Sequence, residues 1–192
     1  MSAAPVAESN DVNGSRPSFL ARFMRNQSGS TAIEFAVLAI PFSLLVFAIL
    51  ESCIAFAGQQ VLANAADEVA RQLRTGQEKA AGFTEEKLKD QICAKLQVLV
   101  SKDCKAQLVV DLRSYPTFAD AAKVKLKLTS DRDIDTTGFA VTPGPSMSKN
   151  MLQVIYKWPV ITDFMRASMS NLKDGKTLQY ATVTWQNEPF ND

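Results

Sequence analysis

Sixteen consecutive residues, Phe35 to Leu50, carry no charge, and this run constrains the chain more than any other feature. Glu34 closes it on one side and Glu51 on the other, and apolar character resumes beyond Glu51 through Ile54, Ala55, Phe56 and Ala57. As a helix rising about 1.5 Å per residue, the stretch from Glu34 to Glu51 covers roughly 25 Å. That approaches a bilayer hydrocarbon core of about 30 Å, so the two glutamates fit opposite interfaces. A buried core helix is the competing reading of so short a run. The rest of the chain offers no comparably apolar segment to pack around it, which favours the membrane.

The flanks give a direction. Arg16, Arg22 and Arg25 precede the run with no acid among them, whereas Asp67, Glu68, Arg71 and Arg74 after it balance. The positive-inside rule then places the N-terminus in the cytoplasm and residues from about 58 onward outside. Two processing signals compete. Ala55-Phe56-Ala57 before Gly58 fits an Ala-x-Ala signal-peptidase site, but the leader it releases is far longer than the usual length of roughly 15–30 residues. The other is Gly29-Ser30-Thr31-Ala32-Ile33-Glu34-Phe35, a glycine followed five residues later by a glutamate that opens the apolar helix. A polar leader rich in Ser, Asn, Pro and Arg precedes it. This is the pattern of a prepilin-peptidase site, cut after Gly29 with the apolar helix retained from Ser30 onward.

The resemblance is to type IV pilins and pseudopilins, and it narrows along the chain. Ala32-Ile33-Glu34-Phe35-Ala36, then Ile40-Pro41 and Leu44-Leu45, resembles the start of the TadE/TadG-like proteins of tight-adherence (Tad) pili. Asn64 to Arg71 and Arg74-Thr75-Gly76-Gln77 are similar to the post-membrane helix of the TadE-like group, and Val183 to Phe190 to its C-terminal segment. The leader is long for the family, and Phe35 stands where major Tad pilins have tyrosine, which points to a minor pseudopilin.

The resemblance implies a structural role in assembling a Tad (type IVb) pilus for adherence. It implies an inner-membrane location, with the outer domain periplasmic or carried into the pilus. The implied partners are a prepilin peptidase, other Tad pilins and pseudopilins, and the assembly platform. It also implies that Glu34 pairs with the N-terminal amine of a neighbouring subunit. The alternative for Glu34 is an interfacial carboxylate that snorkels into headgroups and favours the helix N-terminus. Pro41, lacking an N–H, reads as a kink in the membrane helix. Glu51 is either a bilayer-boundary residue or a second intersubunit contact. An uncleaved single-pass envelope protein with a binding outer domain is the alternative to the pseudopilin.

Domain boundaries follow: a leader over 1–29, a transmembrane helix over 30–57, a helical extension and linker over 58–83, and an outer α+β domain over 84–192. In the extension, Val61, Ala65, Val69 and Leu73 recur at four-residue spacing beside Leu62, Ala66 and Ala70, an amphipathic stripe that predicts packing on the outer domain. Gly76 reads as the helix terminator. A second helix is predicted over 84–101, opened by Thr84 as N-cap. Strands are predicted over 107–112, 124–128, 152–156 and 178–185, four antiparallel strands against the helical spine. Lys123-Val124-Lys125-Leu126-Lys127-Leu128 is the most regular alternation of the four.

Cys93 and Cys104 fall on the outer side, where an oxidising compartment favours a disulfide, and Cys53 at the membrane boundary reads as a small lipid-buried residue. With 21 Lys and Arg against 20 Asp and Glu, the chain lacks the charge excess of a nucleic-acid binder. Cleavage after Gly29 would leave 18 of each sign. There is no histidine, so a His-based triad and imidazole–zinc sites are excluded. No P-loop, Gly-x-Ser-x-Gly or Cys-x-x-Cys is present. Asp131, Asp133 and Asp135 alternate like part of a calcium loop but lack the glycine and distal glutamate of one, and a solvated strand end or turn is the better reading. Tyr156 and Trp158-Pro159 read as core or subunit contact. No catalysis, metal, cofactor, small-molecule substrate or nucleic-acid partner is expected.

Overall fold

The computed structural model describes residues 30–100 and 103–191, so the leader and Gly29 lie outside the described residues. The chain divides into two compact units, 1–45 and 46–192. One helix, α1 (Ser30–Arg74), contributes to both. In the first unit the described residues are helical throughout, and helix continues through Pro41. Pro41 has no N–H to give the Val37 carbonyl, the one ladder bond the sequence removes there.

The second unit is built on the rest of α1. Its buried positions are Glu51, Ala55, Gly58, Leu62, Ala65, Ala66, Val69, Ala70 and Leu73, steps of three and four that define one face. The predicted stripe is therefore real, and it begins earlier than the apolar pattern indicates. Burying a Leu or Val side chain of this kind contributes about 1.5–3 kcal/mol. Gly76, at φ +71°, ends the helix, with its N–H on the Leu73 carbonyl and that of Glu78 on the Gln72 carbonyl.

Next comes α2 (Glu85–Leu96), whose N-cap Thr84 accepts the Lys87 N–H at 3.3 Å. It buries Leu88, Ile92, Cys93 and Leu96. The helix stops short of the predicted residue 101. Cys93 is bonded to Cys104 with their Cα atoms 5.8 Å apart, so the chain has to double back. A continuous helix would carry residue 104 roughly 16 Å along the axis from Cys93.

A four-residue helix, α3 (Cys104–Gln107), leads into strand β1 (Leu108–Tyr115). Then follow α4 (Phe118–Ala122), β2 (Val141–Thr142), β3 (Lys149–Pro159), α5 (Asp163–Met169) and β4 (Lys176–Gln186). The sheet order is β2-β1-β3-β4. β3 pairs antiparallel with β1 (Leu112 opposite Leu152) and with β4 (Val154 opposite Ala181). The α+β class and three of the predicted strands hold. The fourth strand differs in place and sense: two-residue β2 pairs parallel with β1, Leu112 opposite Val141. This makes the sheet mixed rather than wholly antiparallel.

The most regular alternation, 123–128, is not a strand of the sheet. Its only ladder contact is an isolated bridge between Leu128 and Ile134. Side-chain alternation survives, since Lys125 and Lys127 are exposed and Val124 and Leu126 half-buried. Leu126 packs with Ile134, Ile155 and Leu172 in a small cluster that also takes Val109 and Tyr180. The larger cluster holds Leu108, Val110, Leu112, Leu152, Val154 and Trp158 together with α1 and α2. Odd and even strand positions thus serve opposite faces of the sheet, as the strand period requires. The 123–128 segment takes part in packing on the smaller-cluster side instead of lengthening the sheet edge.

Candidate functional site

The apolar half of α1 is the candidate site, and its chemistry is that of a surface. Ile33, Phe35, Leu38, Ile40, Phe42 and Phe47 are all exposed. The helix is long and apolar enough to cross a membrane, and none of its most apolar window is buried. A soluble domain rarely leaves so many large apolar side chains in water, which marks the surface for lipid or partner helices. Glu34 lies on this surface one turn into the helix, exposed, with Phe35 beside it. Cys53 is also exposed.

The second half of α1 is held by polar contacts as well as by packing. Glu51 is only 5% exposed. Its carboxylate accepts the backbone N–H groups of Ile161 and Thr162 and the Thr162 hydroxyl. A buried carboxylate needs such donors in place of the water it has lost. This corrects the reading of Glu51 as a second intersubunit contact, and at a bilayer boundary its carboxylate faces the fold. It neither reaches outward to a headgroup nor remains free for a second subunit; it is an internal staple between α1 and the segment leading into α5.

One turn further, Gln179 Nε2 donates to the Ala55 carbonyl and Gln59 Nε2 to the Tyr180 carbonyl, each at 2.8 Å. Between them Gly58 lies flush against the indole of Trp158, where a Cβ would collide with the ring. The Ala55–Ala57 stretch is mid-helix, with Ala55 buried.

At the far end, the Arg74–Gln77 segment and the C-terminal Val183–Phe190 segment meet. The Glu188 N–H donates to the Arg74 carbonyl at 2.9 Å, and the two side chains pair at 3.5 Å. A Cβ on Gly76 would strike the Phe190 ring. Just before this, buried Asn187 accepts from Trp185 Nε1 (2.8 Å) and Asn150 Nδ2 (3.1 Å) and donates to the Gly144 and Pro145 carbonyls. The Asn187 amide therefore fastens the end of β4 to the turn before β3. Sequence reasoning found the motif but not this role. A single asparagine at the end of the run Trp185-Gln186-Asn187 carries no periodic signal.

Electrostatics are local. On α1, Arg71 pairs with Glu68 at 2.7 Å and, with help from Gln72, holds the Glu68 carboxyl below its ordinary range. The calcium-like aspartates lie in a turn. Asp133 bridges Lys157 (2.6 Å) and Lys173 (3.0 Å). Lys157 first, then the Ile134 N–H and Lys173, hold its carboxyl well below the usual range. Asp135 accepts the Thr137 N–H. Among the described residues no three His, Cys, Asp or Glu side chains group as metal ligands. A cleft between the 130–132 turn and α5 is lined by charges of both signs, Arg132, Arg166 and Lys173 with Asp131 and Asp163.

With this geometry in view, the family comparison bears on one region. Residues 29–71 match the family model for TadE-like proteins. The chain carries a TadE-like region. This region spans the exposed apolar half of α1, the Glu51 staple and most of the packed stripe, and it ends three residues short of Arg74, where α1 stops. The sheet and the C-terminal motif lie beyond the TadE-like match. Comparison with curated proteins and with solved structures gave no match.

Proposed function

We propose that the chain is a TadE-like minor pseudopilin, anchored by α1 and structural in the assembly of a Tad pilus for adherence. The observation that carries this reading is the coincidence of the TadE-like region with a helix whose first half is apolar and exposed and whose second half is clasped by a folded unit. A pilin-type subunit needs such a division: one helical segment that resides in lipid and later among other helices, and one that carries a globular head.

In this reading the leader of residues 1–29 stays cytoplasmic and a prepilin peptidase cuts between Gly29 and Ser30. The helix sits in the inner membrane with residues beyond about 58 on the periplasmic side. The new Ser30 amine and Glu34 supply opposite charges near the start of α1. Glu34 pairs with the amine of a neighbouring pilin, and that match sets axial register. The Pro41 kink lets the helix adjust on leaving the bilayer. The Cys93–Cys104 bond hardens the head for the extracytoplasmic compartment.

Intact mass and N-terminal sequencing of the protein purified from membranes test this directly. A mature start at Ser30 is expected. A start at residue 1 or 2 refutes the pseudopilin and leaves a single-pass envelope protein, and a start at Gly58 refutes the anchor as well. Glu34→Ala should still insert in the membrane and be cut, yet fail to join the assembly. Wild-type piliation in that variant refutes the pairing role.

A further inference from the structure

The apolar character of α1 does not stop at Glu51, and a second segment joins it there. Beyond the charge-free run, Ile54 and Phe56 are exposed, Phe56 at 74%. Ile161, just before α5, and Phe164, in its first turn, are exposed at 69% and 61%. These two are tied to the same level of α1, because the Ile161 and Thr162 N–H groups are bonded to the Glu51 carboxylate. Leu50 adjoins Glu51 and is itself 52% exposed. Exposed apolar side chains from two separate parts of the chain therefore lie at the level of one buried, fully engaged carboxylate.

We infer that Ile161–Phe164 is a lipid-contacting lip: Ile161 and Phe164 enter the interfacial layer of the bilayer beside Leu50, Ile54 and Phe56, while the lip's backbone shields Glu51. This rests on the membrane anchoring proposed above. The occupant is a bilayer surface because the patch continues the exposed apolar surface of α1 at the end of its charge-free run. An unshielded carboxylate at the edge of the hydrocarbon would be costly, and the lip's N–H groups remove that cost. With Glu51 supplied by internal donors, the lipid-embedded length extends from Phe35 to about Phe56. That is roughly 32 Å of helix, a closer match to the bilayer than the run up to Leu50 alone. Aromatic and aliphatic side chains at a membrane interface also fix the depth and tilt of a single helix.

Site-directed spin labelling of the full chain in vesicles of phosphatidylethanolamine and phosphatidylglycerol tests the lip. Single cysteines replace Phe47, Ile161, Phe164 or Gln77 in a Cys53→Ser background. All four positions are exposed, so the labels leave the fold intact. The measurement is accessibility to oxygen against a water-soluble nickel chelate. Oxygen should dominate at Phe47→Cys, Ile161→Cys and Phe164→Cys, and nickel at Gln77→Cys, which follows the far end of α1. Lipid contact at Phe47→Cys with nickel dominating at 161 and 164 overturns the lip and leaves the anchor standing. Water at Phe47→Cys overturns the anchor itself. Spin–spin broadening at 161 or 164 that disappears on dilution with unlabelled chain assigns the patch to a second copy and also overturns the lip.

Discussion

Replacing Glu51 separates its internal role from the one its position in the sequence invites. A glutamate at the end of a membrane-matched run is ordinarily a boundary residue in headgroups, where substitution changes stability by no more than about 0.5 kcal/mol. Glu51 instead is buried and serves three donors from Ile161 and Thr162. A hydrogen bond to a charged group contributes about 1.5–3 kcal/mol, and a buried donor left without its partner costs about 1–3 kcal/mol. The lip is partly open, so water replaces part of what Glu51→Ala removes, and the net loss is about 3 kcal/mol. For a unit of this size that is a fall of roughly 6–12 °C in Tm. Glu51→Gln keeps one acceptor oxygen but loses the charge and should cost about half as much.

Trp158 and Trp185 are both buried in the sheet, so their emission reports unfolding of the second unit at a fixed scan rate in micelles. Thr162→Val removes the hydroxyl arm alone. In a double-mutant cycle, Glu51→Ala and Thr162→Val should couple by about 1 kcal/mol, because they share one hydrogen bond. Amide exchange at Ile161 and Thr162 should accelerate in Glu51→Ala before other amides of the unit respond. An Ala variant within 1–2 °C of wild type, with additive effects and unchanged exchange at 161–162, would refute the staple.

Other perturbations test the rest of the clasp. Changing Cys93 and Cys104 together to serine should cost about 2–3 kcal/mol, from loss of the closed loop, and peptide mapping without reduction should recover the two cysteine peptides linked from the native protein. Gly58→Ala puts a methyl into the Trp158 ring and should cost about 1–3 kcal/mol by thermal unfolding, with Trp158 emission shifted to the red. Asp133 gives a pH test. Its folded carboxyl titrates below the unfolded one, so its ion pairs stabilise the fold above the unfolded pKa of about 3.9, and that stability is lost as pH falls toward the depressed folded value. Asp133→Asn should therefore be less stable than wild type at pH 7 and flatten the acid limb of the stability curve, the two proteins drawing together as pH falls toward the depressed folded value.

Legibility in the sequence followed the range of the interactions. Features with a local period were readable: the charge-free run, the Val61–Leu73 stripe, the Thr84 cap and three strands. The disulfide was readable because compartment and cysteine count restrict the choices. The 123–128 alternation misled because period two reports which side chains turn inward, not whether the backbone finds a partner strand. The segment satisfies the first condition and not the second. The clasp on α1 was invisible for a different reason. Glu51 and Thr162 are 111 residues apart, as the hydrogen bonds record, and nothing local to either encodes the other. Only Gly58 offered a hint, as a side-chain-free position at helical spacing between Ala55 and Leu62.

The same range argument explains why charge placement carries the functional reading further than hydrophobicity does. Apolar side chains cover α1 on both sides of Glu51, so hydropathy alone cannot say where the lipid-facing part gives way to the packed part. Burial does: every exposed apolar residue from Ile33 to Leu50 precedes the first buried position, and that position is the carboxylate. A leucine at 51 would pack well and would be at least as compatible with lipid, but it could not accept the N–H groups of Ile161 and Thr162. A carboxylate there ties one depth of the helix to one loop of the head, because sliding the helix by even one residue would separate charge from donors. Ridge-and-groove packing on a stripe of alanines resists such sliding weakly, since its steps of three and four nearly repeat. On this view Glu51 fixes the registry of the head along α1, the specificity role best attested for buried charges.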